Sequence, residues 1–428
     1  MTVCLGNSLC GIKHYPAPFH FDLSLQSVVD HCQHLPPIGA DEYTSRLNAL
    51  SSVLTSHNAT YIAEPGANSL YYANISWSLS ERPLLLIVQP QDASEPDSVT
   101  NRARATSARP RVTVLTPKFE ATRTRLLPFP TTYDVDFVEW AEDANPYEIV
   151  ASALVLAPGT IYVDPAIRYF IVVGLQTALP GAHVVAAPPE VLELRERKTR
   201  TEIEIMKCAN EATVLAIRHV HSFMFAGMRE SRASTMLSKA LAAYGLKHGH
   251  CLTLFGENAA LPYGSGTDRR LGWNHLALFD CGGVLHGYVS DVTRTVALPA
   301  ARIPPEHLRV WELVHDAQSF ALDAAREGAV ARDVDAAARE YLTQAGYGEY
   351  FTHRLGHGIG LEGHESPYLR GGSDSILKSG HTFSDEPGVY IEGNVGVRLE
   401  DCFYINEDGA AVFLTEGVGG QSSSPWKP

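Results

Sequence analysis

Four carboxylates in this chain fall in or beside strand-like apolar runs, and that placement limits what the chain can fold into. The run LALFDCGG ends on Asp280, and YVSDVTRTVAL holds Asp291 in its interior. FSDEPGVYI sets Glu386 directly before Pro387-Gly388, and VGVRLEDCFYI carries Glu400 two residues after Arg398. A carboxylate inside an apolar strand is costly unless a cation meets it. Taken singly, each has an ordinary explanation: Asp291 paired with Arg294, Glu400 with Arg398, and Glu386 on an exposed turn. Four such carboxylates within one half of a chain shift the balance towards a shared cation site.

The stretch FTHRLGHGIGLEGHE, residues 351–365, adds three histidines and four glycines in fifteen positions. His353 and His357 stand at helical spacing, but Gly356, Gly358 and Gly360 would weaken any helix there. The glycines are expected to let the chain pass close beside a metal or a substrate. Four carboxylates and one imidazole make an oxygen-rich set suited to divalent Mn, Co, Zn or Fe. Two such ions, about 3.5–4 Å apart, would share bridging carboxylates and a bridging hydroxide, a nucleophile available at neutral pH.

At 428 residues the chain exceeds what one hydrophobic core usually supports, so two domains are expected. Residues 1–35 lack periodicity and are expected to form an N-terminal arm. Asp41 to His57 spaces Tyr43, Leu47, Leu50 and Leu54 as a helix, with Asp41 as its cap. TYIAEPG, SLYYANI, PLLLIVQ, RVTVLT, VDFVEWAED, TIYVDP and HVVAAP are strand-like, and QDASEPDSVTNRARATSARP is a polar surface loop. These make an α/β first domain over 36–190. Pro188 and Pro189 precede a long amphipathic helix, and from there the order is two helices, strands, two helices, strands. Such an order over 191–428 predicts two similar halves facing each other.

Residues from about 195 to 420 resemble the pita-bread metallopeptidases, a family that includes aminopeptidase P, prolidase, methionine aminopeptidase and the metal-free creatinase. FDCGGVLHGYVSDVTRT is similar to the family's aspartate pair, HRLGHGIGLEGHE to its histidine segment, DEPGVYI to its first glutamate and GVRLEDCF to its second. The resemblance implies a two-domain α/β protein: a smaller creatinase-like N-terminal domain, and a pseudo-symmetric α+β pita-bread catalytic domain. It implies that Asp280 and Asp291 hold one ion, that His357 and Glu386 complete another, and that Asp291 and Glu400 bridge them. Mn is the expected metal. His353 and His364 would orient substrate and steady the oxyanion, Glu386 would carry the proton to the leaving amine, and Arg398 would orient a carboxylate.

GENAALPYG and GHESPYLRGG resemble the family's Xaa-Pro-specific branch, which points to an Xaa-Pro aminopeptidase or dipeptidase and to a homodimer. Proline offers no N–H and fixes its own geometry, so its imide bond needs a dedicated site. Where the branch places a pocket histidine this chain has Tyr263, which can make one hydrogen bond but carries no positive charge near neutral pH. A hydrolase of another small amide or modified amino acid is therefore the alternative, with a non-catalytic binding module behind it. All five metal positions are present, which argues against a creatinase, and Gly282 stands where a related lyase has an aspartate. Arg370, in PYLRGG, is a candidate for a substrate carboxylate or for an acidic neighbour.

A formal charge of -14 argues against nonspecific binding to nucleic acid or anionic lipid, so a small peptide or amide is the expected partner. No apolar run reaches the length of a membrane span. Seven cysteines, an odd number without a CxxC pair, suggest reduced thiols, and the first 30 residues lack a basic start followed by an apolar core, so a cytoplasmic protein is the expectation. Asn58-Ala-Thr60 and Asn74-Ile-Ser76 match the glycosylation pattern and support the alternative, a secreted or anchored parent.

Overall fold

The computed structural model describes residues 31–90, 109–129, 134–154 and 159–428. The expected arm over 1–35 and the polar loop after β2 lie mostly outside them. The N-terminal part runs α1 (Ala40–His57), β1 (Ala59–Ala63), α2 (Ala67–Ala73), β2 (Leu85–Gln89), β3 (Arg111–Pro117) and α3 (Ala121–Thr124). It continues with β4 (Val135–Trp140), α4 (Pro146–Ala153), β5 (Thr160–Val163), α5 (Tyr169–Ala178), β6 (His183–Ala186) and α6 (Pro189–Glu196). Its six strands form one mixed sheet in the order β4-β3-β2-β1-β5-β6.

Both faces of that sheet are covered. Leu86 and Val88 pack with Leu47, Leu50 and Leu54 of α1, while Leu85 and Ile87 point the other way, towards Val150 of α4 and Leu175 of α5. Successive side chains of a strand alternate faces, so a strand buried on both reads as an unbroken apolar run, which is the character of PLLLIVQ. SLYYANI is a correction: it is mostly the helix α2, not a strand. Ser69 accepts the Gly66 N–H and so closes the helix start, and Asn74 ends it in the left-handed region at φ 54. Tyr71 and Tyr72 satisfy a helix as readily as a strand because both are buried on neighbouring parts of its surface. Gly39, not Asp41, occupies the cap position of α1, and Asp41 lies in its first turn.

The C-terminal part begins with α7 (Arg200–His221), whose start is closed by a reciprocal pair: Thr199 Oγ1 accepts the Glu202 N–H and Glu202 accepts the Thr199 N–H. After α8 (Glu230–Ala243) come β7 (Lys247–Phe255), β8 (Ala277–Leu285) and β9 (Tyr288–Val296), one antiparallel sheet. The second half repeats the plan with α9 (Pro305–Ala324) and α10 (Ala331–Gln344), then β10 (Gly356–Gly358), β11 (Glu365–Leu369) and β12 (Thr382–Asp385). The hairpin β13 (Gly388–Ile391) and β14 (Val395–Arg398) follows, then β15 (Asp401–Ile405) and β16 (Ala411–Phe413). The larger sheet runs β11-β10-β12-β15-β16. The fold is thus a two-domain α/β structure with a pseudo-symmetric α+β second part.

A bridge between Thr293 and Glu400 ties β9 of one half to the end of β14 in the other. The same seam is held by Arg294, which is fully buried and donates to both oxygens of Asp401 at 3.1 and 2.7 Å and to the Glu400 carbonyl at 2.7 Å. Arg294 therefore does not neutralise Asp291.

The reduced-thiol expectation is overturned. Cys32 is bonded to Cys208 of α7, and Cys251 of β7 to Cys281 of β8, while Cys402 is free and buried. The partners are 176 and 30 residues apart, so no local spacing announces them; the tertiary fold brings them together.

Candidate metal centre

Asp280 and Asp291 reach one spot because of strand register. Asp291 of β9 pairs with Gly282 of β8, two residues beyond Asp280, so the two carboxylates share a face of the sheet as diagonal neighbours. His357 comes from β10, Glu386 from the turn after β12, and Glu400 from the break between β14 and β15. VGVRLEDCFYI, which reads as one strand, is two strands separated at Leu399-Glu400, and the break delivers Glu400 to the seam.

Donor atoms of Asp280, Asp291 and Glu400 lie within 4.8 Å of one another, as do those of His357, Glu386 and Glu400, and those of Asp291, His357 and His364. Two of these triads share Glu400. Around them is a cavity of about 490 Å³, lined also by Tyr263, His353, Arg354, Arg370 and Arg398. All ten site residues singled out in the sequence therefore border one cavity.

The tautomer of His357 follows from its surroundings. Its Nδ1 faces the Gly358 carbonyl at 3.0 Å, an acceptor, so Nδ1 carries the proton. Nε2 then faces Glu386 Oε1, 3.2 Å away, and Asp291 Oδ2 at 3.9 Å, and donates to Glu386 when the imidazole is protonated. His353 is fixed likewise: Nδ1 donates to the Arg354 carbonyl at 2.7 Å, and Nε2 accepts from the Tyr390 hydroxyl at 2.8 Å. His364 is exposed, with its ring centroid 4.1 Å from that of His357.

Crowding of like charge sets the electrostatics. Burial, then the charges of Asp280 and Glu386, push the Asp291 carboxyl well above the usual range. Burial and the charges of Asp291, Glu386 and Asp280 do the same to Glu400. Burial also acts to raise Glu386, but the hydrogen bond and charge of His357, with His353 and Arg398, outweigh it and hold the group at about 2. The imidazole of His357 is raised, because Glu386 and Asp291 overcome its burial. Burial lowers His353 and His364. A cluster that retains protons on buried carboxyls for want of positive charge is chemically suited to divalent cations, and the donor set fits them.

Two supporting residues escaped the sequence reading. Tyr390 links His353 to Arg398, whose Nη1 donates to the Tyr390 hydroxyl at 3.0 Å and whose Nη2 donates to Asp280 at 2.5 Å. Thr293 donates to Glu400 Oε2 at 2.6 Å and accepts from Arg398 Nε at 3.2 Å. Arg398 thus braces Asp280 directly and Glu400 only through Thr293. Thr293 alternates with Asp291 along β9 and so was visible as an inward position; Tyr390 carried no signal beyond its strand.

Two glycines of the histidine segment are required by the strands beside them. A Cβ on Gly356 would stand 2.0 Å from the Ser384 carbonyl oxygen, and one on Gly358 would stand 2.5 Å from that of Glu365. They admit β12 and β11 against β10 and so hold the segment in the sheet.

The family model of metallopeptidase family M24 matches residues 204–407. An uncharacterized peptidase of Schizosaccharomyces pombe is 35% identical over 94% of this chain and 88% of its own length. An Xaa-Pro dipeptidase of Lactobacillus delbrueckii is 38% identical over 52% of this chain and 61% of its own. Dipeptidase PepE of Mycobacterium ulcerans, a solved structure, superposes with a TM-score of 0.78 at 29% identity, covering 89% of this chain and 97% of that one. Fold and site together define a metal-dependent peptidase. The chain belongs to metallopeptidase family M24, the pita-bread metallopeptidases.

Proposed function

We propose that this metallopeptidase holds two divalent ions and cleaves Xaa-Pro bonds of short peptides. The observation that carries the reading is the pair of donor triads sharing Glu400: Asp280, Asp291 and Glu400 on one side, His357, Glu386 and Glu400 on the other. Such ions, when bound, polarise a scissile carbonyl and make water ionisable near neutral pH. Manganese is the metal of this proposal, with cobalt, zinc or iron accepted by the same donors.

Glu386 starts as a carboxylate, accepts the proton of the attacking water and passes it to the proline nitrogen, which has no N–H and departs only once protonated. His353, held by Tyr390 and the Arg354 carbonyl, and His364 at the cavity wall orient the substrate and steady the charge on the carbonyl oxygen. Arg398 keeps Asp280 aimed inward. Arg370, exposed at the cavity, receives the peptide's carboxylate. Tyr263 stands 91% exposed at the same wall, where it offers the substrate a hydroxyl and a ring face without charge.

The test loads the protein with manganese, measures metal per chain, and assays Ala-Pro, Ala-Pro-Pro and Ala-Ala, with Tyr263→His alongside. Two ions per chain and cleavage before proline alone are expected. Fewer than two ions would refute the binuclear site. Cleavage of Ala-Ala as fast as Ala-Pro would refute the specificity. A homodimer is also proposed, to be read by sedimentation of the full chain.

A further inference from the structure

We propose that Asn58 carries an N-linked glycan and that the chain folds in an oxidising secretory compartment. Two independent features support it: a correctly exposed acceptor, and cysteines joined in pairs.

Asn58 follows the last turn of α1 in the left-handed region, φ 48 and ψ 51, and is exposed. Its backbone N–H meets the carbonyls of Leu54 and Thr55, and its Nδ2 lies beside Gly159, just before β5. The exposure of Asn58 leaves its side chain open to carry a saccharide. Asn58 does not line the catalytic cavity, so a glycan there leaves substrate access open. Asn74, the other acceptor by pattern, differs: it is half-buried and its Nδ2 donates to the Pro128 carbonyl at 2.9 Å.

The hydroxyl that completes the acceptor pattern belongs to Thr60, only 2% exposed within β1. A transferase cannot read it in the folded protein, so transfer precedes closure of the six-stranded sheet. In that step Nδ2 forms a bond to C1 of an oligosaccharide borne on a lipid diphosphate. The C1–O bond breaks, the lipid diphosphate leaves, and Nδ2 gives up a proton.

Four of the five described cysteines are joined, as Cys32–Cys208 and Cys251–Cys281. Each bond requires that two thiols give two electrons and two protons to a disulfide-bearing oxidant, which leaves as a dithiol. Such oxidants prevail in secretory compartments, whereas cytosolic thiols are kept reduced. The lipid-linked oligosaccharide and the oxidant thus belong to one place.

The full chain, purified from its native cells without reductant, is divided into two samples. One is treated with peptide-N-glycosidase in heavy-oxygen water and mapped by mass spectrometry. The other is alkylated before and after reduction. Expected are an Asn58 peptide converted to isotopically labelled aspartate, and Cys32, Cys208, Cys251 and Cys281 labelled only after reduction. Asn58→Asp, which tolerates the left-handed conformation, and Thr60→Ala should each lose the electrophoretic shift, with the Asp variant retaining peptidase activity. An unmodified Asn58, a glycan confined to Asn74, or four thiols that alkylate without reduction would each overturn the proposal.

Discussion

His357 donates Nδ1–H to the carbonyl of its neighbour Gly358, and that bond decides that Nε2 faces Glu386 and Asp291. With Asp291 and His357 as ligands, Asp291→Asn or His357→Ala should lower metal-dependent hydrolysis at least about 100-fold, given how strongly even residues behind the ligands affect metal sites. Metal content should fall with it while circular dichroism stays unchanged; turnover like that of the unmodified protein would exclude the assignment. Protonation supplies a second prediction. Asp291, Glu400 and His357 all have pKa values raised in the metal-free site, so each holds a proton at higher pH than usual, and a binding cation must displace it. Manganese affinity should therefore rise from pH 6 to pH 8 with net proton release, readable by calorimetry in buffers of different ionisation enthalpy. Glu386, held at about 2, is already ionised over that range and adds no slope.

Among the elements, β10 has the least freedom. It is three residues long and sits between β11 and β12, with Gly356 and Gly358 against their backbones. Gly356→Ala should destabilise the protein by about 3 kcal/mol or more, because the Ser384 carbonyl can retreat only by moving β12. Chemical denaturation of the metal-free variant measures this, and a loss under about 1 kcal/mol would mean that the strand shifts freely. The sequence made the glycine cluster plain but not the strand contacts of Gly356 and Gly358, since a close contact between backbones looks the same as a close approach to a ligand until the neighbouring strands are known. α2 misled for a related reason: SLYYANI has strand composition, and the Gly66–Ser69 contact and the left-handed Asn74 overrode it.

Across the whole molecule, the N-terminal part is pinned to the catalytic part by a buried polar cluster. Arg46 of α1 lies 3.3 Å from Glu202 of α7, and its Nη2 donates to the Tyr288 hydroxyl at 3.1 Å. Tyr288 in turn donates to Glu202 at 2.6 Å, and Arg46 also donates to Glu42 at 2.6 Å. Arg46 and Glu202 are both buried, so Arg46→Ala would leave a carboxylate without its cation. A loss of about 3–5 kcal/mol is expected in denaturant melts, the range for a buried pair broken on one side. Arg46→Ala melting at the parental midpoint would show that water reaches Glu202.

By itself the sequence determined the kinds of elements in the catalytic part, their order, and the five candidate metal-binding side chains. Periodicity carries the elements and charge against apolar strands marks the four carboxylates, both local properties of the chain, while the choice of His357 among three histidines rests on the resemblance to the pita-bread metallopeptidases. Only the tertiary structure decided what depends on partners distant in sequence. Asp280 and Asp291 share a face because of strand register, and Arg294 turns to Asp401 rather than to Asp291. Tyr390 and Thr293 link Arg398 to His353 and Glu400, and cysteines 176 residues apart become bonded. Each of these is settled by how separate elements pair and pack, which the local pattern of residues does not state.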